Sequence, residues 1–254
     1  MVNNTMNPGD LSFCRLCVRD LRRDAPFRCV WETSRTMTLL TADEVHLWLA
    51  DLGSVEPIEA CRSVLSEEEQ ARAATFRFDH DRQHFITRRA ILRRLVGNYH
   101  GIAPARIEFR NDVHGKPQLG TRGGRTLQFN LSSTERWAMY AFALDRRVGI
   151  DVERARSSVD WEEIASQFFH MTELAAIRQA AEKLRYQEFL SYWTMKEAIM
   201  KARGTGLDRA LLQTDITSVV RDGRKEFIDS DDVKWLCTPI ALDSDLKAAL
   251  ASEA

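Results

Sequence analysis

Apolar and polar residues alternate in several short segments of the chain, a pattern typical of strands that bury one face. The first such segment lies at 45–49, and residues 1 to about 42 show only weak periodicity, so we predict that they form a leader. A Ser-Ser-Thr turn at 132–134 is predicted to separate two of the strands. The further predicted strands are 127–131, 137–144 and 148–153, with shorter ones at 107–109, 216–220 and 233–237.

Two long helical stretches interrupt the strands. Ser66 is followed three residues later by a glutamate, which predicts a capping box and a helical region that stops near Gly97. A second region begins at Trp161, resumes at Thr172 and runs with breaks to Gly204. Strands therefore precede and follow each helical region.

The two helical regions resemble each other and suggest an internal repeat. Residues 65–67 and 171–173 open the two regions in the same way, and each region ends in a cationic turn and a glycine. In this register Arg89 and Glu197 occupy matching positions, because each precedes an alanine. One half would then offer cations and the other carboxylates across a shared cleft. Two unrelated amphipathic helices of equal length would look the same, so both interpretations stay open here.

Composition limits the classes of protein that the chain can represent. Its 254 residues, 44% hydrophobic and 29% charged, suffice for one large domain or two packed halves. The net charge of -1 gives no field that would attract nucleic acid, so an anion site must come from a local cluster. Five cysteines, with Cys14 and Cys17 in a lone C-x-x-C, predict ordinary thiols in a reduced cytoplasmic protein. No apolar run predicts a membrane span or a signal peptide, and we expect no membrane partner.

Two carboxylates stand close together in the predicted strand 148–153. Asp151 and Glu153 are two residues apart, so their side chains emerge on the same face of the strand. Such a pair is stable when it is solvated, paired with cations or bound to a metal. An exposed edge neutralised by Arg154 and Arg156 is one interpretation. A hard cation is the other, and Mg²⁺ is the usual one where phosphates are handled.

A second candidate group lies on the predicted helix that ends at Gly204. Glu197 and Lys201 are four residues apart and share a face with Trp193 and Met200. The apolar neighbours favour a partly buried charged pair, although a surface Glu-Lys pair gives the same spacing. The Gly-Thr-Gly that follows the helix supplies its C-cap.

A third candidate group is cationic. Lys116 is held between glycine and proline, and together with Ser132 and Arg89 it could contact a phosphate. A surface lysine in a hairpin is the alternative. The arginine-rich run 88–94 is predicted mostly to face water.

These segments occur in an order that resembles a known family. The resemblance covers roughly residues 45 to 220 and is to the 4'-phosphopantetheinyl transferase superfamily, in particular its monomeric surfactin-type branch. It implies an α+β fold with two pseudo-twofold-related halves, at 43–147 and 148–254, and coenzyme A in the cleft between them. The segments that carry it are GKP at 115–117, FNLSS at 129–133, VGIDVE at 148–153 and WTMKEAIMKARGTGL at 193–207.

The resemblance also implies a metal and catalytic site. By similarity, Asp151, Glu153 and Glu197 would bind Mg²⁺. Lys201 would lie beside the transferred pyrophosphate, and Glu197 would accept the proton of the attacking serine. These are expectations from the family motifs.

The family's coenzyme A contacts fall on a further set of residues. Lys116 and Ser132 resemble phosphate contacts, and Arg89 is similar to a basic residue that meets the 3'-phosphate in some relatives, with Arg72 as a weaker match. The family usually has a histidine that touches coenzyme A at the position of Ser133. A hydroxyl still donates a hydrogen bond but brings no charge. We therefore expect weaker affinity for coenzyme A or a compensating arginine.

The activity implied is transfer of 4'-phosphopantetheine from coenzyme A to a serine of an apo acyl or peptidyl carrier protein. This is a holo-[acyl-carrier-protein] synthase type of reaction, carried out by a monomer. Apolar residues at 168–171 are a candidate docking contact for the carrier, or two core phenylalanines at a helix end. Two alternatives remain: a non-catalytic module that binds coenzyme A or the carrier, and a metal enzyme that uses 151–153 as a nucleotide-sugar site.

Overall fold

The computed structural model describes most of the chain and, for residues 13–19, the backbone alone. The described residues are 13–19, 40–53, 57–112, 115–119, 124–155, 160–206, 208–217, 225–229, 231–242 and 245–254.

Ten strands, seven α-helices and a 3-10 helix at Pro104–Arg106 occur in the described residues. The strands are β1 (Phe13–Arg19), β2 (Glu44–Asp51), β3 (Arg110–Asn111), β4 (Pro117–Gln118), β5 (Leu127–Thr134), β6 (Trp137–Leu144), β7 (Val148–Arg154), β8 (Lys225–Ile228), β9 (Lys234–Ala241) and β10 (Leu246–Glu253). The helices are α1 (Ile58–Arg62), α2 (Glu67–Ala74), α3 (Asp79–His100), α4 (Trp161–Phe168), α5 (Met171–Gln179), α6 (Glu182–Arg203) and α7 (Arg209–Leu212).

Two antiparallel four-stranded sheets form the centre of the molecule, with the orders β1-β2-β6-β5 and β7-β10-β9-β8. Apolar side chains from both sheets, such as Leu47, Ala141 and Ile150, form one core between them. The outer face of the first sheet packs on α3 through Ile91 and Phe142, and that of the second packs on α6. The layers are therefore helix, sheet, sheet and helix, which is the α+β architecture that was expected.

The internal repeat is present in the order of elements. The first half runs β2-α2-α3-β5-β6, and the second half runs β7-α5-α6-β9-β10. In each half the first strand pairs with the last, and the last pairs with the one before it. The long helices α3 and α6 both have 22 residues and end at a left-handed glycine. The similarity of the two helical regions is therefore not a coincidence of amphipathic helices.

A buried ion pair recurs at the same place in each half. Glu69 is the third residue of α2 and closes a capping box, and it pairs with Arg93 at 2.5 Å. Glu173 has the same position and role in α5 and pairs with Lys196 at 2.9 Å. Counted from the starts of α3 and α6, Arg93 and Lys196 occupy the same position. That register places Arg94, and not Arg89, at the position of Glu197, so the match suggested by the flanking alanines is five residues out of register.

The end of the first long helix differs from its prediction. The stop predicted near Gly97 lies about one turn too early, because α3 continues to His100 and is capped by Gly101 in the left-handed conformation, with φ of 64°. Gly97 is required for packing, since a Cβ there would lie 2.6 Å from the carbonyl oxygen of Ile102. The predicted strand 107–109 is also wrong, because Ile107 follows the 3-10 helix as a buried loop residue.

The turn between β5 and β6 lies later than predicted. Residues 132–134 continue strand β5, and the chain reverses at Glu135 and Arg136, with Glu135 at φ of 47°. Serine and threonine are frequent in turns, but here they pair with β6 through a regular register. This correction places Ser132 and Ser133 on opposite faces of a strand.

The ends of the chain also differ from prediction. Within the predicted leader, the backbone of β1 pairs with β2 as an edge strand, and Cys14 and Cys17 lie in this strand. Ile216 and Thr217 are not in a strand, and the rest of that predicted strand lies outside the described residues. The strand predicted at 233–237 is confirmed as β9, whereas β8 and β10 were missed.

Across the described part of the chain, no helix combines the length and the apolar character that crossing a bilayer requires.

Candidate active site

A cleft of about 960 Å³ opens between the two halves. One wall comes from α2, α3 and β5, and the other from the last turns of α6 and the glycines that follow. Four of the predicted site residues line it: Arg89, Lys116, Glu197 and Lys201. Arg72 lines it as well, whereas the β7 carboxylates are not among the lining residues, and Asp151 is joined to the wall through Lys201.

Strand β7 and helix α6 approach each other unusually closely. A Cβ on Gly149 would lie 2.0 Å from the carbonyl oxygen of Ala198 and 2.4 Å from the amide nitrogen of Ala202. Only glycine permits this backbone contact. It brings Asp151 of β7 alongside the helix turn that carries Lys201, so two segments distant in sequence form one site.

Asp151, Ser132 and Lys201 form a compact polar network. The Lys201 ammonium donates to Asp151 Oδ1 at 2.6 Å and to Ser132 Oγ at 3.0 Å, and the Ser132 hydroxyl donates to Asp151 Oδ1 at 2.8 Å. Asp151 is only 1% exposed, and within the described residues its Oδ2 is buried without a hydrogen-bond partner. An unsatisfied buried carboxylate oxygen is unfavourable, and a bound cation would satisfy it.

Glu197 is half-buried and lines the cleft beside this network. Burial raises its pKa, the nearby Asp151 carboxylate raises it further, and Lys201 opposes the shift. Two carboxylates that repel each other in this way form an environment suited to a divalent cation. Both this carboxylate and the unsatisfied oxygen of Asp151 therefore fit the Mg²⁺ that the family resemblance implies.

Glu153 extends the same face of β7, as the sequence predicted, and is half-buried opposite Lys247 of β10. Among the described side chains, however, no three or more carboxylate, histidine or cysteine groups are close enough together to form a metal site. The three-carboxylate site is thus not assembled here, and the roles of its members stay predictions.

Lys116 connects the first half to the end of α6. Its ammonium donates to the Lys201 carbonyl oxygen at 2.7 Å, and its backbone amide donates to Asp112 Oδ1 at 2.9 Å. A cation at the carbonyl end of a helix is favourable. Burial lowers the pKa of Lys116 to about 8, although Asp112 opposes the shift. This lysine is therefore not the solvated hairpin residue of the alternative interpretation.

Arg89 lies at the cleft but is already paired. Its Nε donates to Glu69 Oε1 at 2.7 Å, and the same carboxylate binds Arg93 through its other oxygen. Burial would raise the pKa of Glu69, but the two arginines lower it overall. Arg72 is exposed, with its guanidinium 5.5 Å from the centre of the Phe85 ring.

Three residues that shape the site were missed from the sequence. Asn130 accepts a hydrogen bond from the amide of Ile150 at 2.9 Å and thereby joins β5 to β7. Glu69 holds the cleft arginines, and Arg88 donates to Ser133 Oγ at 2.5 Å. The capping box indicated Glu69 only as a helix cap. Nothing in the arginine run distinguished Arg88 from its neighbours.

Comparisons with known proteins identify this arrangement. A family model described as the 4'-phosphopantetheinyl transferase superfamily matches residues 147–249, and one described as the N-terminal part of 4'-phosphopantetheinyl transferase matches residues 54–144. The boundary between the two models falls between β6 of the first sheet and β7 of the second, which is where the repeat divides the chain.

Individual relatives agree with the family models. The 4'-phosphopantetheinyl transferase HetI of Nostoc sp. is 39% identical over 173 residues, covering 67% of this chain and 73% of that protein. The 4'-phosphopantetheinyl transferase Sfp of Bacillus subtilis is 27% identical over 158 residues, covering 62% and 68%. The L-aminoadipate-semialdehyde dehydrogenase-phosphopantetheinyl transferase of Xenopus laevis is 26% identical over 227 residues, covering 80% and 74%.

The fold and the site thus define a transferase with two similar halves on one chain. The chain belongs to the 4'-phosphopantetheinyl transferase superfamily, and its relatives place it in the surfactin-type branch. It is a phosphopantetheinyl transferase that acts with coenzyme A on carrier proteins.

Proposed function

We propose that this chain uses Mg²⁺, held by Asp151, Glu153 and Glu197, to transfer 4'-phosphopantetheine from coenzyme A to a carrier-protein serine. The observation that carries the proposal is the unsatisfied, buried Oδ2 of Asp151 beside Glu197, at the edge of a cleft large enough for a nucleotide. Bound Mg²⁺ would neutralise charge on the pyrophosphate of coenzyme A.

Glu197 is the proposed proton acceptor. The serine hydroxyl attacks the phosphorus attached to pantetheine, the bond from that phosphorus to the 3',5'-ADP oxygen breaks, and the serine proton passes to Glu197. A carboxylate whose pKa is raised by burial holds a proton more readily than an exposed one, which suits this role. Its place in the cleft wall leaves it accessible to a ligand in the cleft.

Lys201 and Lys116 are the proposed cations for the departing 3',5'-ADP. In support, the Lys116 ammonium contacts the Lys201 backbone, and both lysines line the cleft. Arg89, Ser132 and Ser133 would add phosphate contacts, with Arg89 acting as part of the Glu69 cluster and not as an isolated charge. In this division the first half supplies most of the nucleotide contacts, and the second half supplies Lys201 and the carboxylates at the reacting phosphate.

Acyl carrier proteins are the proposed substrates, which would make the activity that of a holo-[acyl-carrier-protein] synthase, with peptidyl carriers as the alternative. At the predicted docking segment, Phe169 is buried in the core but Met171 is 74% exposed at the start of α5. We propose Met171 as part of the carrier contact. We also propose that the protein is a monomer, since both sides of the cleft come from one chain. A cytoplasmic location is proposed from its five irregularly spaced cysteines.

The test is an intact-mass measurement of an apo acyl-carrier protein incubated with this chain, coenzyme A and Mg²⁺, with EDTA in a parallel sample. A gain of one phosphopantetheine that EDTA prevents is the expected result. Binding of coenzyme A with no mass gain on acyl or peptidyl carriers would contradict the proposal and favour a non-catalytic binding module.

A further inference from the structure

Arg88 differs from the other arginines of the cleft wall in its partners. Arg89 and Arg93 share the carboxylate of Glu69, and Arg93 also donates to two backbone carbonyl oxygens. Arg88 lines the same wall but has no carboxylate partner among the residues that the structure describes. No carboxylate of the described residues therefore offsets its charge.

The Arg88 side chain is nevertheless held in place. Nη1 donates to Ser133 Oγ at 2.5 Å, and the backbone carbonyl oxygen accepts from the Tyr140 hydroxyl at 3.0 Å. The guanidinium also lies 5.9 Å from the centre of the Phe85 ring. The Tyr140 contact anchors the backbone at Arg88, and the Ser133 and Phe85 contacts orient the side chain before any ligand binds.

A buried donor of this guanidinium remains unused. Nε is buried and has no hydrogen-bond partner in the described part of the chain. Burial lowers the pKa of Arg88, but an arginine stays protonated at physiological pH. A buried cation with an unused N–H is unfavourable on its own, and an anion with acceptor oxygens would offset both deficits.

The short side chain at 133 makes this arrangement possible. Ser133 Oγ touches the guanidinium, so a larger side chain at that position would compete with Arg88 for the same space. Serine instead accepts the hydrogen bond and leaves the rest of the guanidinium available to the cleft. Arg88 of α3 in this way supplies the positive charge that Ser133, standing in place of the family's histidine, lacks.

We propose that Arg88, oriented by Ser133, binds a phosphate group of the coenzyme A nucleotide, an inference that rests on the proposed function of the cleft. The chemical class of ligand is a nucleotide phosphate, because a guanidinium binds phosphate oxygens in paired hydrogen bonds. Arg88 then acts beside Lys116 as a second cation of the first half that lines the cleft.

The experiment is calorimetric titration of the Arg88→Gln variant with 3',5'-ADP and with coenzyme A. Losing a charge-assisted contact should weaken binding of both by at least about tenfold. Arg88→Lys should recover part of the loss, since it restores charge without the planar fork. The matched control is Arg94→Gln on the same helix, whose guanidinium donates to the Ala60 carbonyl oxygen away from the cleft.

A purely structural role for Arg88 predicts a different pattern. Ser133→Ala removes the hydrogen bond that joins α3 to β5, together with the uncharged phosphate contact proposed for Ser133, but keeps the charge of Arg88. We expect it to weaken binding by less than about threefold. Equal losses in Arg88→Gln and Ser133→Ala, or unchanged affinity in Arg88→Gln, would overturn the inference. A cooperative thermal unfolding transition in each variant is the control that the variant is folded.

Failure of this inference and failure of the proposed function give different results. If the wild-type protein modifies the carrier and the Arg88→Gln variant binds 3',5'-ADP with normal affinity, only the role of Arg88 is contradicted. A wild-type chain that binds coenzyme A but never modifies a carrier contradicts the proposed function, whatever Arg88 does.

Discussion

In the first half of the chain, the ion pair between Glu69 and Arg93 lies at the wall of the cleft, and Arg89 joins it there. In the second half, the equivalent pair of Glu173 and Lys196 is completely buried, with both side chains 0% exposed. The Lys196 ammonium there also donates to two backbone carbonyl oxygens near α7. The same structural unit thus borders a ligand site in one half and fixes the core in the other.

The difference shows how one repeated fold yields an asymmetric site. The ion pair of the first half borders the cleft, so its arginines line the cleft wall. The ion pair of the second half is buried, and it holds α6 in the core. Rigid placement of α6 in turn positions Glu197, the residue after Lys196, and Lys201 one turn later. Cations therefore come mainly from the first half, and carboxylates from the second.

The largest effect is expected from Glu197→Gln, which removes the proposed metal ligand and proton acceptor of the second half. The rate of carrier modification should fall on the order of a thousandfold, because both the base and the metal site are damaged. Since Glu197 faces the cleft, the melting temperature should change little. Glu188→Gln, at an exposed position of the same helix, is the matched control. Normal turnover in Glu197→Gln would show that the assignment is wrong.

Next in size is the stability cost of breaking the two ion pairs. Lys196→Met leaves Glu173 unpaired in the core and should lower the free energy of unfolding by about 3 to 5 kcal/mol. Arg93→Met leaves Glu69 paired with Arg89, so we expect a loss of only about 1 to 3 kcal/mol. Urea unfolding measures both values. Equal losses in the two variants would remove the distinction between the halves.

A smaller effect is expected at the contact between β7 and α6. Gly149→Ala inserts a methyl group against helix backbone, which should cost about 1 to 3 kcal/mol of stability and reduce activity together with it. Gly53→Ala is the control, because its nearest neighbour would lie at an ordinary 3.4 Å. Thermal unfolding and the intact-mass assay report the two effects. Full stability in Gly149→Ala would mean that the close approach is not required.

The smallest effect concerns pH and the first half. In the protein without ligand, burial lowers the pKa of the Lys116 amine to about 8, so the amine is charged below that pH and loses its charge above it. Affinity for 3',5'-ADP should therefore fall by up to about tenfold between pH 7 and pH 9. Lys116→Arg should remove most of this dependence, because arginine stays charged. A pH profile that Lys116→Arg leaves unchanged would contradict the role of this lysine.

Much of the fold followed from local pattern. The strands around 45–49, 137–144 and 148–153 have regular alternation or continuous apolar runs, and the structure confirms all three. Strand β10 was missed because its Lys-Ala-Ala-Leu-Ala sequence favours a helix, and only its position between β7 and β9 makes it a strand. Strand β1 likewise depends on pairing with a distant partner.

The site was predictable where its chemistry resides in motif residues. Asp151, Glu197, Lys201 and Lys116 were selected from the sequence, and the structure brings them to the same cleft region. The availability of charges was not predictable, because it depends on partners far away in the chain. Arg89 appeared free but pairs with a glutamate of α2, and Arg88 appeared equivalent but pairs with none in the described residues.

Cations of the first half and carboxylates of the second half are expected to act as one site. Calorimetric titration of coenzyme A with and without Mg²⁺, in the wild type and in Glu197→Gln, measures this joint action. We expect Mg²⁺ to strengthen binding to the wild type by about tenfold or more and Glu197→Gln to abolish this effect. Equal strengthening in both proteins, or none in the wild type, would show that the two halves do not share one metal-dependent site.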